Sequence, residues 1–162
     1  MKPFFDRKNG TITVGNACPI TDGSCFLILM SADKAKAKGY KPLGKIRSYA
    51  FAGLEPERMG LGPAYSSPKA LDAAGIDMKE IGLVELNEAF AAQTLGCMKE
   101  LGWSFDQINP HGSGISMGHP IGCTGARIAV TIIYDMVHRN LHRGLETMCI
   151  GGGQGMAAIW ER

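Results

Sequence analysis

Short apolar segments alternate with amphipathic helical patterns along most of this chain, and this alternation limits the folds that it can adopt. Four segments have the apolar character of buried strands: residues 46–51, 81–86, 148–150 and 156–160. Between them, apolar residues recur at the three- and four-residue spacing of an amphipathic helix. Helices that alternate with strands pack on both faces of a sheet, so the sequence predicts an α/β fold with an α/β/α layered sandwich.

Local signals set the expected ends of the helices. The pair Ser67-Pro68 offers a capping side chain followed by a proline, so we expect a helix to begin there and to end at Gly75. A second helix is predicted over residues 90–101 and a third, longer one over residues 128–137. The last two strands are joined by a glycine-rich turn, so one strand is expected to run antiparallel to its neighbour.

The N-terminal forty residues differ from this regular pattern. Residues 26–30 form an apolar run that predicts a buried strand. Residues 34–41 are basic and include a glycine, which suits a linker or a boundary between domains. We therefore expect the main α/β unit to begin after this stretch.

Composition excludes several classes of function. Charged residues make up 20% of the chain and the formal net charge is +2, so we expect neither nucleic acid nor an acidic partner. The longest unbroken apolar run covers residues 25–30, far below the ~18 residues of a membrane span, and we recognise no signal peptide. The five cysteines form no CxxC pair, which favours free thiols in a reducing compartment. These features predict a soluble, cytoplasmic protein that binds no membrane.

His119 is the first candidate for chemistry, and it lies between Gly118 and Pro120, ahead of the third predicted helix. Because proline disfavours a helical residue before it, the histidine is expected in the loop at the helix N-terminus. The exposed N–H groups and the positive dipole of that end favour developing negative charge and a neutral imidazole. A neutral histidine can donate one hydrogen bond to an oxyanion and accept another. The alternative is a structural histidine that binds a loop carbonyl.

Cys149 is the second candidate, at the end of a predicted strand and just before the glycine-rich run 151–155. A thiol in that position, close to backbone N–H groups, can be held as a thiolate or can exchange a proton. The glycines allow a ligand to approach the backbone closely. The alternative is a buried core cysteine followed by a flexible turn.

Asn87 is the third candidate, because it follows the predicted strand 81–86 and precedes the second helix. It can cap that helix, or its amide can hold a water molecule in a catalytic pocket. Glu88 then falls in the first helical turn, where its charge suits the helix dipole. An asparagine, a histidine and a cysteine placed at the ends of such elements suggest acyl chemistry on a thioester.

Two other kinds of site are not supported by residue spacing. The glycine run lacks the Lys-Ser/Thr of a P-loop and does not match GxGxxG, so nucleotide binding is not predicted. His111, His119 and Cys123 match no zinc-binding pattern, so no metal site is expected.

Three longer motifs together resemble the C-terminal part of the thiolase family, which comprises acetyl-CoA acetyltransferases and 3-ketoacyl-CoA thiolases. The motifs are VELNEAFAAQ at residues 84–93, NPHGSGISMGHPIG at residues 109–122 and CIGGGQG at residues 149–155. Shorter matches at residues 15–17, 21–23 and 59–63 extend the resemblance over nearly the whole chain. The order of three motifs makes this resemblance specific.

The resemblance implies a fold of two α/β/α halves, each with a mixed five-stranded sheet. Residues 39–162 would form the C-terminal domain, and residues 1–38 would form the tail of the N-terminal domain. His119 would activate a nucleophilic cysteine and help to form one oxyanion hole, which a water held by Asn87 completes. Cys149 would act as acid and base on acetyl-CoA or the coenzyme A thiol, and the Gly151 N–H would join a second oxyanion hole.

In this family the nucleophilic cysteine and the loop domain that grips coenzyme A belong to the N-terminal half, and neither is recognisable here. We therefore expect a chain that takes part in acyl transfer between coenzyme A thioesters, and in fatty acid metabolism, only with that missing half. The reaction would be acetyl-CoA condensation or 3-ketoacyl-CoA thiolysis. No cofactor is expected besides the acyl-CoA substrate, and no residue can be assigned to binding it.

The alternative is a catalytically inactive fragment or an interaction module that keeps the thiolase fold. In either case the surface that should meet the missing half would be exposed, which predicts homo- or hetero-oligomers through an apolar patch.

Overall fold

A mixed four-stranded sheet organises the fold, and a computed structural model describes it over residues 1–162. The strands are Lys45–Gly53 (β1), Leu83–Leu86 (β2), Arg143–Ile150 (β3) and Gln154–Glu161 (β4). Their order across the sheet is β1-β4-β3-β2. β2 and β3 are parallel, whereas β4 is antiparallel to both β3 and β1, as the glycine-rich turn predicted.

Helices cover both faces of this sheet, which confirms the predicted α/β/α layers. The α-helices are Ala32–Ala37 (α1), Gly62–Ala74 (α2), Ala91–Leu101 (α3), Gly114–Met117 (α4) and Thr124–His138 (α5). Short 3-10 helices occupy Pro56–Leu61, Met78–Glu80 and Phe105–Gln107. None of the helices has the length and apolar character that crossing a membrane requires.

The two faces of β2 carry side chains for two separate apolar cores. Val84 and Leu86 pack with α2 and α3, together with residues of β3 and β4. Leu83 points to the opposite face, where it packs with Trp160 and with the apolar side of α5. Because successive side chains of a strand point to opposite faces, the side chains of β2 pack alternately against the two helical layers.

The fifth strand that the family resemblance implied is reduced to a single bridge, so the expected number of strands was wrong. Ile108 forms an isolated parallel bridge with Val84, and the Asn109 N–H donates to the Val84 carbonyl at 3.0 Å. Asn109 then takes a left-handed conformation with φ of 46°, and Pro110 offers no N–H to continue a ladder. The Asn109 carboxamide binds Leu86 in place of a strand backbone.

The predicted start of the first long helix at Ser67-Pro68 was also wrong. α2 begins at Gly62, with a proline in its first turn, and Pro68 lies inside the helix. The early start follows from close packing on β4, because a Cβ on Gly155 would overlap the Gly62 carbonyl oxygen. The helix does end as predicted, at Gly75 in the left-handed conformation.

The N-terminal segment contains a helix where a linker was expected and no strand where one was expected. α1 lies within the basic stretch, capped by the Ser31 hydroxyl. The apolar run 26–30 is not buried: Phe26 is 91% exposed and Ile28 is 89% exposed. Residues 22–30 make no backbone hydrogen bond within the chain, since no neighbouring strand of this chain runs beside them.

Two buried glutamates lie side by side beneath α5. Glu85 of β2 and Glu146 of β3 are register partners and are 0% and 3% exposed. Burial raises the pKa of Glu85 to about 8 and that of Glu146 to about 7, while the charge of Arg127 opposes both shifts. The Trp160 indole N–H donates to Glu146 at 2.7 Å, whereas neither carboxyl oxygen of Glu85 has a partner. The fold therefore favours a neutral carboxyl at Glu85.

A buried acid with a raised pKa makes stability depend on pH. The folded chain keeps a proton on Glu85 that the unfolded chain, with a pKa near 4.5, has released. The free energy of unfolding should therefore fall as the pH rises from about 5 to about 8. We expect Glu85→Gln to reduce that fall, so that the variant gains more stability over the wild type at pH 8 than at pH 5.

Urea unfolding at both pH values measures this difference. Glu100→Gln, at an exposed position of α3, is the matched control and should follow the wild type. An equal pH dependence of the Glu85→Gln variant and the wild type would contradict a raised pKa at Glu85.

Candidate active site

The parallel pair β2 and β3 brings two of the three candidate residues to one edge of the sheet. Asn87 directly follows β2, and Cys149 is the penultimate residue of β3. Leu86 pairs with Thr147, and the Asn87 N–H donates to the Thr147 carbonyl at 3.0 Å. Because the strands are parallel, their carboxyl ends open on the same side. Asn87 and Cys149 therefore lie on neighbouring strand ends.

The N-terminal tail joins this edge to the third candidate residue. The Cys18 N–H donates to the Ala89 carbonyl at 2.9 Å, in the loop that follows Asn87. The His119 N–H donates to the carbonyl of the next tail residue, Pro19, at 3.2 Å. Since consecutive tail residues bind both loops, the loops of Asn87 and His119 lie side by side.

The contacts of His119 favour the tautomer that carries its proton on Nδ1. Its Nδ1 lies 2.7 Å from the Thr124 hydroxyl oxygen, and that hydroxyl donates its one proton to the Pro120 carbonyl at 3.0 Å. With that bond made, the Nδ1–H of His119 is the donor to the Thr124 oxygen, which leaves Nε2 as a free acceptor. Burial lowers the pKa of His119, and the positive charge of Arg127 lowers it further. His119 is thus a neutral imidazole in the loop ahead of α5, as the sequence predicted.

Cys149 is held as a thiol and not as a thiolate. Burial raises its pKa to about 11, and the nearby thiol of Cys18 adds to this effect as a potential like charge. Of the two states that the sequence left open, the environment therefore favours the protonated one. A thiol with that pKa is a proton donor at neutral pH and a strong base once it has lost its proton.

Asn87 is not a helix cap, which excludes the simpler of its two expected roles. α3 begins at Ala91, with Phe90 as the N-cap residue, and Glu88 also lies outside the helix. Asn87 is 0% exposed, yet neither atom of its carboxamide has a hydrogen-bond partner in the chain. A Cβ on Gly114 would lie only 2.9 Å from Asn87 Oδ1, so glycine allows α4 to pass beside this carboxamide.

Gly151 begins the tight turn between β3 and β4. Its carbonyl accepts from the Gln154 side chain at 3.0 Å, and its N–H donates no hydrogen bond within the chain. Gly153 needs to be glycine because its φ is 84° and a Cβ would overlap the Leu54 carbonyl oxygen. The glycine run therefore fixes the turn against the rest of the fold and leaves the Gly151 N–H unpaired.

Two neighbours of the candidate residues were not identified from the sequence. Thr124 orients His119, and its only sequence signal is its position five residues later at the start of α5. Arg127 contributes to the low pKa of His119 from the next turn of that helix, where its guanidinium contacts the Ser113 hydroxyl at 3.4 Å. Both lie just after the motif at residues 109–122, and only tertiary contacts reveal what they touch.

The layered fold and the motif loops at one sheet edge define an α/β/α protein with a candidate site at the carboxyl ends of its parallel strands, and comparison with known proteins specifies the family. Residues 40–162 match the family model of the thiolase C-terminal domain, and residues 1–33 match that of the thiolase N-terminal domain. The chain therefore belongs to the thiolase family.

Individual relatives agree with this assignment. The chain is 50% identical to an acetyl-CoA acetyltransferase of Chromobacterium violaceum over 100% of its length, and 48% identical to a 3-ketoacyl-CoA thiolase of Pseudoalteromonas atlantica. Because it covers 41% and 43% of these two proteins, it spans about two fifths of the relatives that it matches.

Solved structures confirm the fold. The acetyl-CoA acetyltransferase of Bacillus anthracis matches with a TM-score of 0.96 at 47% identity, covering 99% of this chain and 41% of that one. Human mitochondrial 3-ketoacyl-CoA thiolase matches with a TM-score of 0.92 at 36% identity and with the same two coverages.

The raised pKa of Cys149 predicts slow alkylation. At pH 8 a thiol with a pKa of about 11 is ionised to roughly one part in a thousand, compared with about a quarter of an ordinary cysteine. We expect iodoacetamide to label Cys149 at least about a hundredfold more slowly in the folded chain than in urea. The rate should rise about tenfold per pH unit up to pH 10.

Peptide mass spectrometry resolves the labelling of each cysteine, so that Cys123 in the same sample serves as an internal reference. Labelling of Cys149 at pH 7 as fast as in the unfolded chain would contradict a protonated thiol.

Proposed function

We propose that this chain supplies the acid–base and oxyanion-binding groups of a thiolase active site. The reaction is acyl transfer between coenzyme A thioesters, either condensation of acetyl-CoA units or thiolysis of a 3-ketoacyl-CoA. The observation that carries the proposal is the state of three neighbouring groups. Asn87 offers a buried carboxamide without a partner, His119 offers a free Nε2, and Cys149 holds a proton.

In the thiolysis direction, His119 Nε2 takes the proton of the nucleophilic cysteine, which the N-terminal half carries. The thiolate attacks the 3-keto carbon, and the Gly151 N–H stabilises the oxyanion that forms. The bond between C2 and C3 then breaks, and its electron pair remains on the acetyl-CoA enolate. His119, now the proton donor, and the water on Asn87 bind the enolate oxygen.

Cys149 completes both halves of this reaction. Its thiol gives a proton to the enolate carbon, which releases acetyl-CoA. The resulting thiolate takes the proton of an incoming coenzyme A thiol, and the sulfur of coenzyme A attacks the acyl-cysteine. The shortened acyl-CoA is released, and the nucleophilic cysteine leaves as a thiolate that takes its proton back from His119. A pKa of about 11 suits this role, because the same group must protonate carbon and then deprotonate a thiol.

Two observations support the need for an N-terminal half. The chain spans only about two fifths of its relatives. Its segment 22–30 has no regular secondary structure, exposes Phe26 and Ile28, and makes no backbone hydrogen bond within the chain. An exposed apolar run of this kind marks an interaction surface, so we assign this segment to the interface with the missing half.

The test is acetoacetyl-CoA thiolysis by this chain alone and mixed with a separately produced thiolase N-terminal half. We expect activity in the mixture only. His119→Ala, Asn87→Ala and Cys149→Ala should each lower kcat/KM by about a hundredfold or more, the range for lost acid–base or oxyanion groups. His138→Ala, at the exposed end of α5, is the matched control and should keep full activity.

Other outcomes would replace the proposal. Activity of the chain alone would show that its own cysteines include a nucleophile. An inactive mixture in which both chains are folded and bound to each other would favour the inactive interaction module. Thermal unfolding of each variant separates loss of chemistry from loss of fold.

A further inference from the structure

Two side-chain carboxamides bind the backbone of the loop that carries Asn87. From the α3 side, Gln93 Oε1 accepts the Ala89 N–H at 2.9 Å and the Phe90 N–H at 3.2 Å. The Gln93 Nε2 donates to the Asn87 carbonyl at 3.3 Å. Gln93 is 6% exposed, so these bonds are shielded from competition by water.

Asn109 binds the same loop from the edge of the sheet. Its Oδ1 accepts the Leu86 N–H at 2.8 Å, and its Nδ2 donates to the Leu86 carbonyl at 2.9 Å. The same Nδ2 group also donates to Glu88 Oε1 at 2.9 Å. Asn109 thus holds the residue before Asn87 and the residue after it. Its left-handed φ of 46° is one that asparagine tolerates better than most residues.

These contacts have a specific effect on Asn87. An asparagine side chain readily accepts the backbone N–H two or three residues later, which forms an Asx turn or a helix cap. For Asn87 those donors are the N–H groups of Ala89 and Phe90, and Gln93 occupies both. The carboxamide of Asn87 is consequently buried with no protein partner.

We propose that Gln93 and Asn109 are positioning residues, which hold the Asn87 loop and keep the Asn87 carboxamide free for the water or substrate oxygen that it binds. Gln93 prevents the side chain of Asn87 from turning back onto its own loop. Asn109 fixes that loop to the end of β2. The role of Asn87 in this statement rests on the proposed function. The hold on the loop rests on the hydrogen bonds alone.

A double-mutant cycle on the reconstituted enzyme tests the part that concerns activity. Gln93→Met removes the carboxamide at nearly constant length. We expect kcat to fall about tenfold or more, with KM within about twofold of the wild type, because the oxyanion hole and not substrate binding is disturbed. In an Asn87→Ala background, Gln93→Met should cost less than about twofold, since the group on which it acts is gone.

The matched control is Gln107→Met. Gln107 also donates from Nε2 to a carbonyl beside β2, that of Ile81 at 3.4 Å, but at the far end of the strand. We expect its kcat to stay at the wild-type value. Equal losses from Gln93→Met with and without Asn87 would mean a general structural role and would overturn the proposal.

Asn109 has its own matched control in Asn140, the other non-glycine residue with a positive φ, 51°. Asn109→Gly and Asn140→Gly both keep the backbone conformation and remove only a side chain. We expect Asn109→Gly to lower kcat about tenfold and to show coupling to Asn87→Ala. Asn140→Gly should change neither. A kcat for Asn109→Gly equal to that of Asn140→Gly would overturn the assignment of Asn109.

A crystal structure of a variant of this chain alone tests the role of Gln93 independently of the proposed function. In a crystal structure of the Gln93→Met chain, we expect Asn87 Oδ1 to have turned onto the N–H of Ala89 or Phe90. An Asn87 side chain in its wild-type position would overturn the role of Gln93, whether or not the mixture is active. If the mixture is inactive but Asn87 turns as expected, the proposed function fails and the role of Gln93 stands.

Discussion

Parallel pairing of β2 with β3 is the constraint on which the rest of the site depends. The bond from the Asn87 N–H to the Thr147 carbonyl sets where β2 ends relative to Cys149. The apolar cores on the two faces of the sheet hold this pair from both sides. The loop of His119 is then tied to the same edge by the tail that contains Cys18. A shift of one residue in the pairing would turn every side chain of β2 to the other face.

The site combines three groups that an ordinary fold would pair or ionise differently. A buried carboxamide without a partner costs about 1–3 kcal/mol, and Asn87 is kept in that condition by the two carboxamides around its loop. Burial keeps His119 neutral and Cys149 protonated. Unsatisfied or perturbed groups of this kind concentrate at functional sites, where a substrate or a water supplies what the protein does not.

The sequence predicted the layers, the ends of α2 and α3 at glycines, and the antiparallel pair at the C-terminus, because these features follow from local periodicity and turn residues. It did not predict the loss of the fifth strand, which follows from the side chain of Asn109 replacing a backbone. Nor did it predict the start of α2, which depends on contact between Gly62 and Gly155, residues distant in the chain. For Asn87 considered alone, the sequence favoured a helix cap over a ligand-binding amide. The cap is excluded by the observed start of α3 at Ala91, with Phe90 as the N-cap residue, and by Gln93, which occupies the N–H groups of Ala89 and Phe90.

The most direct test of the central claim is a high-resolution crystal structure of this chain, with attention to the solvent around Asn87. We predict an ordered water within hydrogen-bond distance of the Asn87 carboxamide and also of His119 Nε2. In the proposed reaction, this water and His119 together would bind the oxygen of a thioester enolate. An Asn87 carboxamide bonded to the protein backbone, with no water beside it, would contradict the claim that the fold reserves this group for a ligand.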